Sequence, residues 1–206
     1  VATNTAIAGA FGAVACMFWL MYTGDKKPDP GMMVNGMLAG LVAVTAPCAF
    51  IQPWAAAVIG IIAGILIPLA LGFIENRGID DPVGAIAVHG VGGLFGVLAV
   101  GIFADGQYGA GWNGTDVTGV TGILYDVSEG GKQLASQAIG ALVICTVIFG
   151  IAYGFFKIQN AIMKGGIRSN EADELEGLDL PEMGMLAYPE FMGSHVPGLE
   201  EQQTHD

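Results

Sequence analysis

Charged side chains are scarce in this sequence. Asp, Glu, Lys and Arg together make up 13% of the 206 residues, and only seven residues are basic. Soluble globular domains carry about a quarter of their residues as charges, so this composition argues against a soluble protein. In their place, 53% of the residues are hydrophobic and 33 are glycine. We therefore predict an all-α integral membrane protein whose apolar helices pack through small residues.

Cysteine is also rare, and its three copies form no motif. Cys16, Cys48 and Cys145 lie in separate apolar segments without C-x-x-C spacing. They are expected to be small apolar side chains, which excludes a disulfide framework and a zinc site. The glycine-rich stretch after His89 misses the dinucleotide-binding fingerprint, because Phe95 holds its last glycine position. We expect no metal, no cofactor, no nucleic-acid partner and no enzymatic activity.

The N-terminus lacks the features of a signal peptide. No Met stands at position 1, and no basic segment precedes the first apolar run. A cleaved leader is therefore not expected, and the chain is predicted to be the C-terminal part of a longer protein.

The apolar runs predict five membrane spans. Each run is long enough to cross the hydrocarbon core of a bilayer. The last is about 30 residues, on the order of 45 Å as a helix, so it must tilt or project into water. The predicted spans are Ala2 to Tyr22, Gly31 to Phe50, Trp54 to Ile74, Pro82 to Phe103, and Gln133 to Ile162.

The basic residues predict the orientation of these spans. Five of the seven follow the first, third and fifth spans, Lys157 lies near the end of the fifth span, and only Lys132 lies in the other loops. Because basic residues are enriched on the cytoplasmic side, Val1 is expected outside and the C-terminal tail in the cytoplasm. The segment from Ala104 to Lys132 then forms an outer loop of a multi-pass plasma-membrane protein.

His89 is the candidate functional residue. No charged residue occurs from Pro82 through Ala104, so the imidazole is the only titratable group of the fourth span. An ionisable side chain at that depth is costly and usually functional. The neighbouring Gly90, Gly92 and Gly93 are expected to leave room beside it, and Val88 to keep the space apolar.

Two other interpretations of His89 remain open. The imidazole could hydrogen-bond to a backbone carbonyl of a neighbouring helix, which is a structural role. It could also ligate haem, but a second axial ligand would have to come from His195 or His205, which lie in the polar tail.

Two local patterns predict structural features. Asp81 followed by Pro82 is typical of a helix start, with Asp81 as the N-cap and Pro82 at the first position. Glycines four residues apart predict close contacts between helices. They occur at Gly36 and Gly40, at Gly60 and Gly64, and at Gly92 and Gly96.

Four segments resemble the ammonium transporter (Amt/MEP/Rh) family. They are DDPVGAIAVHGVGG from Asp80, NGMLAGLVAVTAPCAF from Asn35, GIRS from Gly166 and LEGLDL from Leu175. The resemblance extends from Thr3 to about Tyr188, with these segments in the family's order and spacing. It implies a homotrimer of eleven-helix, inverted-repeat subunits, of which this chain would supply the last five helices.

The resemblance also implies a function. Ammonium would lose a proton and cross as ammonia through a hydrophobic pore lined by His89 and by a second histidine from the N-terminal half. Inverted halves that meet at a midplane site are a common transporter design. The second histidine, the phenylalanine gate and the vestibule tryptophan would precede Val1. An ammonium-sensing regulatory module of the same fold is the alternative.

We expect the chain to consist of three parts. Residues 1 to 164 form the membrane domain, and residues 165 to 188 a cytoplasmic regulatory tail on which a PII-type signalling protein could act. Within the tail, the resemblance points to Arg168, Gly177, Leu178, Asp179 and Tyr188. Ten of the nineteen acidic residues follow Gly166, and residues 189 to 206 are expected to be an acidic, disordered extension.

Overall fold

A computed structural model describes residues 1–24, 26–109, 119–186 and 188 of the chain. Within these ranges the regular structure is helical, with one isolated β-bridge between Asp105 and Thr121. The α-helices are α1 (Ala2–Thr23), α2 (Pro30–Thr45), α3 (Pro53–Glu75), α4 (Gly92–Phe103), α5 (Val127–Ile162), α6 (Glu171–Glu176) and α7 (Asp179–Met183). A π-helical turn, Ile86–Val91, leads directly into α4.

The chain divides into two compact units, Val1–Phe149 and Gly150–Asp206. The boundary falls inside α5. The first unit contains α1 to α4 and the beginning of α5, and the second contains the end of α5 and the tail helices.

Four helical segments of the described residues are long and apolar enough to cross a membrane. They are Ala2–Thr23, Pro53–Glu75, Ile86–Phe103 and Val127–Ile162. The remaining apolar segment is α2, which corresponds to the second predicted span. It has 16 residues and a length of about 24 Å, which is shorter than the hydrocarbon core. The prediction of a helix to Phe50 is therefore wrong. Turns replace it after Thr45, where Pro47 has no N–H for a helical hydrogen bond.

Small residues let α1 approach α2 and α3 closely. A Cβ added to Gly60 of α3 would lie 2.9 Å from the Cα of Ala8 on α1. One added to Gly96 of α4 would lie 2.9 Å from the Cα of Ala43 on α2. The same crowding holds at Gly12, Gly36, Gly40 and Gly64. The predicted glycine contacts are confirmed, except that Gly92 has only ordinary van der Waals neighbours at 3.8 Å.

A buried amide fixes the start of α1 against the turn between α2 and α3. The Nδ2 of Asn4 donates to the carbonyl oxygens of Cys48, at 2.9 Å, and Ile51, at 2.8 Å. Both amide hydrogens are thereby used, which removes the penalty for burying them. Asn4 thus holds three consecutive elements together at one end of the first unit.

Helix α5 begins earlier than the sequence predicts, at Val127 instead of Gln133. The carboxylate of Asp126 explains this, because its Oδ1 accepts from the amides of Ser128 and Glu129 at 2.8 and 2.9 Å. At 36 residues the helix is about 54 Å long. Its large apolar side chains are mostly exposed in the described structure, so this surface suits lipid or further protein.

Candidate functional site

His89 lies in the π-helical turn Ile86–Val91, not in an ordinary α-helix. The amide of Gly92 donates to the carbonyl of Ala87, five residues earlier. Turns of this kind are rare and occur often at functional sites. The sequence predicts only an apolar helix here, because the hydrophobic pattern does not determine whether each amide donates to the carbonyl four or five residues earlier.

The start of this turn is held by the buried carboxylate of Asp81. Its Oδ1 accepts from the amide of Ile86 and its Oδ2 from the amide of Ala87, both at 3.0 Å. The Asp81 carboxylate thus caps the first amides of the turn, but the predicted positions are wrong, because Ala85 is the N-cap residue and Pro82 is not the first helical residue. The chain forms a turn in between, and Gly84 has a φ of 71°, a left-handed conformation that no α-helix contains.

The imidazole of His89 points away from the helical core. His89 is exposed in the first unit, whereas its neighbour Val88 is only 2% exposed and belongs to the core. Ile86 and Leu94, which are also exposed, make the same surface of the π-turn and α4 apolar. No hydrogen bond joins the side chain of His89 to another of the described residues, so the structural role of bonding to a neighbouring carbonyl is not seen there.

The glycines next to His89 differ in their surroundings. A Cβ on Gly90 would have one neighbour within 4 Å outside the adjacent residues, the Cγ2 of Ile86 at 3.8 Å, so the position next to His89 in the chain is open. Gly93 is half-buried and faces the Cγ1 of Val42 on α2 at the same distance. Gly92 is buried against Val42 and Ile67. The structure thus places Gly90 beside His89, and directs Gly92 and Val88 into the core.

Sequence reasoning missed two residues that lie next to the predicted glycines. Ile86 lies three positions before His89, and helical spacing alone could have indicated it. Val42 comes from α2, and nothing in the sequence pairs that position with Gly93. A contact between distant positions of this kind needs the folded backbone.

Arg168, one of the predicted tail residues, and its neighbours make several polar contacts in the second unit. The guanidinium of Arg168 makes two contacts with the carboxylate of Glu174, from Nε at 2.6 Å and from Nη2 at 2.8 Å. This pairing lowers the pKa of Glu174. Ser169 hydrogen-bonds to Glu182 through its hydroxyl, and the Oδ1 of Asn160 accepts from the amide of Ile167 at 3.0 Å.

Gly177 separates the two short tail helices with a φ of 116°, which favours glycine. Leu178 precedes α7, Asp179 begins it, and Tyr188 is exposed beyond its end. The acidic extension, with His195 and His205, lies outside the described residues. The disorder predicted for it and the haem hypothesis therefore stay predictions.

The chain is similar to known ammonium transporters over most of its length. The profile of the Ammonium Transporter Family matches residues 1–188. Ammonium transporter Amt2 of Archaeoglobus fulgidus is 45% identical over 194 residues, which are 93% of this chain and 39% of that protein. The chain therefore spans well under half the length of this relative.

Solved structures agree with the sequence match. A structure described as a sensor Amt protein has a TM-score of 0.72 and 36% identity, with 87% of this chain and 40% of that one covered. Candida albicans Mep2 has a TM-score of 0.71 and 28% identity, with 92% and 41% covered. The match to the profile ends at the residue where the sequence resemblance ends, and on these findings the chain belongs to the ammonium transporter family.

Proposed function

We propose that the full-length protein containing this chain carries ammonium or ammonia across the membrane along a path lined by His89. The facing wall, with a second histidine, would come from the part of the protein that corresponds to the unmatched length of the relatives. The family is one of transporters, which is consistent with a protein that is not an enzyme.

The observation that carries this proposal is the outward direction of His89 from its own helical core. An imidazole left against lipid would be costly, so its surface must be covered by protein or border a water-accessible path. A ring with one donor and one acceptor nitrogen can hydrogen-bond to ammonia or take up a proton. The open space at Gly90 gives a small solute access to it.

The assembly and orientation belong to the same proposal. The protein would be a homotrimer in the plasma membrane, with five spans in this chain, Val1 outside and the tail in the cytoplasm. The distribution of the basic residues supports this orientation. Residues 165–188 would regulate the path and bind a PII-type protein, and the Arg168 pair supports an ordered tail.

The test is the variant His89→Ala in the full-length protein. Methylammonium uptake and ammonium-evoked current are measured together, because the imidazole affects both rate and selectivity. We expect the ratio of uptake to current to change by about tenfold or more, because the variant loses a side chain that can accept and donate a proton. Gly140→Ala, on α5 with open space around it, is the control for expression and assembly. An unchanged rate and ratio in His89→Ala would refute the proposal.

A further inference from the structure

We infer that Asp81 is a positioning residue for His89, which acts by fixing the π-helical turn that directs the imidazole away from the core. This inference rests on the proposed function for its consequences in transport. The orientation it predicts can be measured independently of transport.

Asp81 takes the place of two backbone acceptors. In an α-helix that began at Pro82, the amides of Ile86 and Ala87 would donate to carbonyls four residues earlier, those of Pro82 and Val83. Here both amides donate to the carboxylate of Asp81 at 3.0 Å. The side chain therefore prevents the helix from extending upstream, and its charge is favourable at a helix start.

Burial makes this anchor firm. Asp81 is 3% exposed, so neither water nor an exposed cation can readily replace its two donors. Residues Asp81 to Gly84 form a turn, in which the amide of Gly84 donates to the carbonyl of Asp81 at 2.9 Å. A Cβ on Gly84 would come within 3.1 Å of the Nδ2 of Asn35, so α2 also limits movement of this loop.

The π-turn decides which way His89 faces. Its i to i+5 hydrogen bonds accommodate one residue more than an α-helical turn between the same ends. If the turn relaxed to α-helical bonding, the segment before it would rotate by about 100° relative to α4, and His89, which lies inside the turn, would rotate through part of that angle. Val88, one position earlier, is buried at 2% exposure while His89 is exposed. This partial rotation would turn the imidazole toward the side of the helix on which Val88 is buried.

The downstream end of the turn is held separately. Gly92 packs against Ile67 of α3 and Val42 of α2. Because this contact does not involve Asp81, loss of the carboxylate should release the turn from Ile86 to His89 and leave α4 in place. The bundle of α1, α2 and α3 should remain folded.

The first experiment is a double-mutant cycle in the full-length protein. Asp81→Asn keeps the size of the side chain and removes the second carboxylate oxygen, and Asp80→Asn, at an exposed neighbouring acid, is the matched control. We expect Asp81→Asn to shift the ratio of methylammonium uptake to current in the direction of His89→Ala. In the His89→Ala background it should add less than about a twofold change, because coupled residues are not additive.

A purely structural role would give a different pattern. Asp81→Asn would then lower the amount of folded protein and the rate by the same factor in both backgrounds, without a change in the ratio. That result would overturn the inference, as would an effect of equal size from Asp80→Asn.

The second experiment measures orientation directly. The variant His89→Cys is made after Cys16, Cys48 and Cys145 are replaced by alanine, and its reaction with a membrane-impermeant thiol reagent is timed. We expect Asp81→Asn to slow labelling by about tenfold as the side chain turns toward the core, whereas Asp80→Asn should not. Equal labelling in all three backgrounds would refute the positioning role. If labelling depends on Asp81 while His89→Ala transports normally, the proposed function fails and the positioning role stands.

Discussion

The guanidinium of Arg168 contacts both carboxylate oxygens of Glu174, one from Nε and one from Nη2. This bidentate pair joins the segment after α5 to the first tail helix. Its geometry fixes two planar groups relative to each other, which a single contact from a lysine would not do. It gives the tail a defined local structure although most of its side chains are exposed.

A pH dependence of the tail follows from this pair. Because Arg168 lowers the pKa of Glu174 in the folded tail, the pair stabilises the tail at pH values above the ordinary carboxyl value of 4.5. The contribution is lost as the pH falls through the lowered value. Titration of the Glu174 side chain by NMR should show a pKa below the ordinary carboxyl value of 4.5, and Arg168→Ala should restore that ordinary value. A pKa unaffected by Arg168→Ala would contradict the prediction.

Removal of the tail should change transport by the full-length protein. A stop after Lys164 deletes the Arg168 pair and both tail helices, so we predict a lower rate or a loss of response to a PII-type protein. A stop after Tyr188 should have little effect, because the family match ends there. Uptake assays on both truncations, with trimer content measured in parallel, test this prediction. A normal rate and normal regulation in the variant that ends at Lys164 would exclude a regulatory tail.

Close packing at Gly60 should make this position intolerant of even one methyl group. A Cβ there would lie 2.9 Å from the Cα of Ala8 and still nearer to its carbonyl oxygen, so Gly60→Ala must separate α1 from α3. We expect a loss of about 1–3 kcal/mol, typical of overpacking. Gly140→Ala, where nothing lies within 4 Å, should be neutral or slightly stabilising. Thermal unfolding in detergent measures the difference, and equal midpoints would show that the helices can adjust.

The 206 residues alone should not conduct. His89 is exposed on the first unit, and the described residues supply no wall facing it. Purified chain in liposomes should therefore give no ammonium-driven change of internal pH above that of empty liposomes. The full-length protein prepared in the same way is the positive control. A flux from the chain alone would show that its copies can complete a path without further sequence.

The sequence could predict the membrane class and the functional candidate, because both depend on composition and on one polar residue in an apolar run. It predicted which glycines lie at helix contacts, but not their partners, since spacing specifies a face and not what lies against it. The early end of α2 could have been inferred from Pro47, which disfavours helical bonding. The π-turn could not, because the hydrophobic pattern does not determine whether the amide of Gly92 bonds four or five residues back.

The small residues between α1, α2 and α3 have an entropic consequence. Alanine and glycine lose no rotamer freedom when two helices meet, so this association has almost no side-chain entropy cost. Within lipid, where helices gain little from burying apolar surface, such contacts are among the most favourable available. Because these residues have no alternative rotamers, the contacts between the helices cannot rearrange by a change of side-chain conformation. We therefore expect this three-helix bundle to behave as a rigid body on which the segment carrying His89 is mounted.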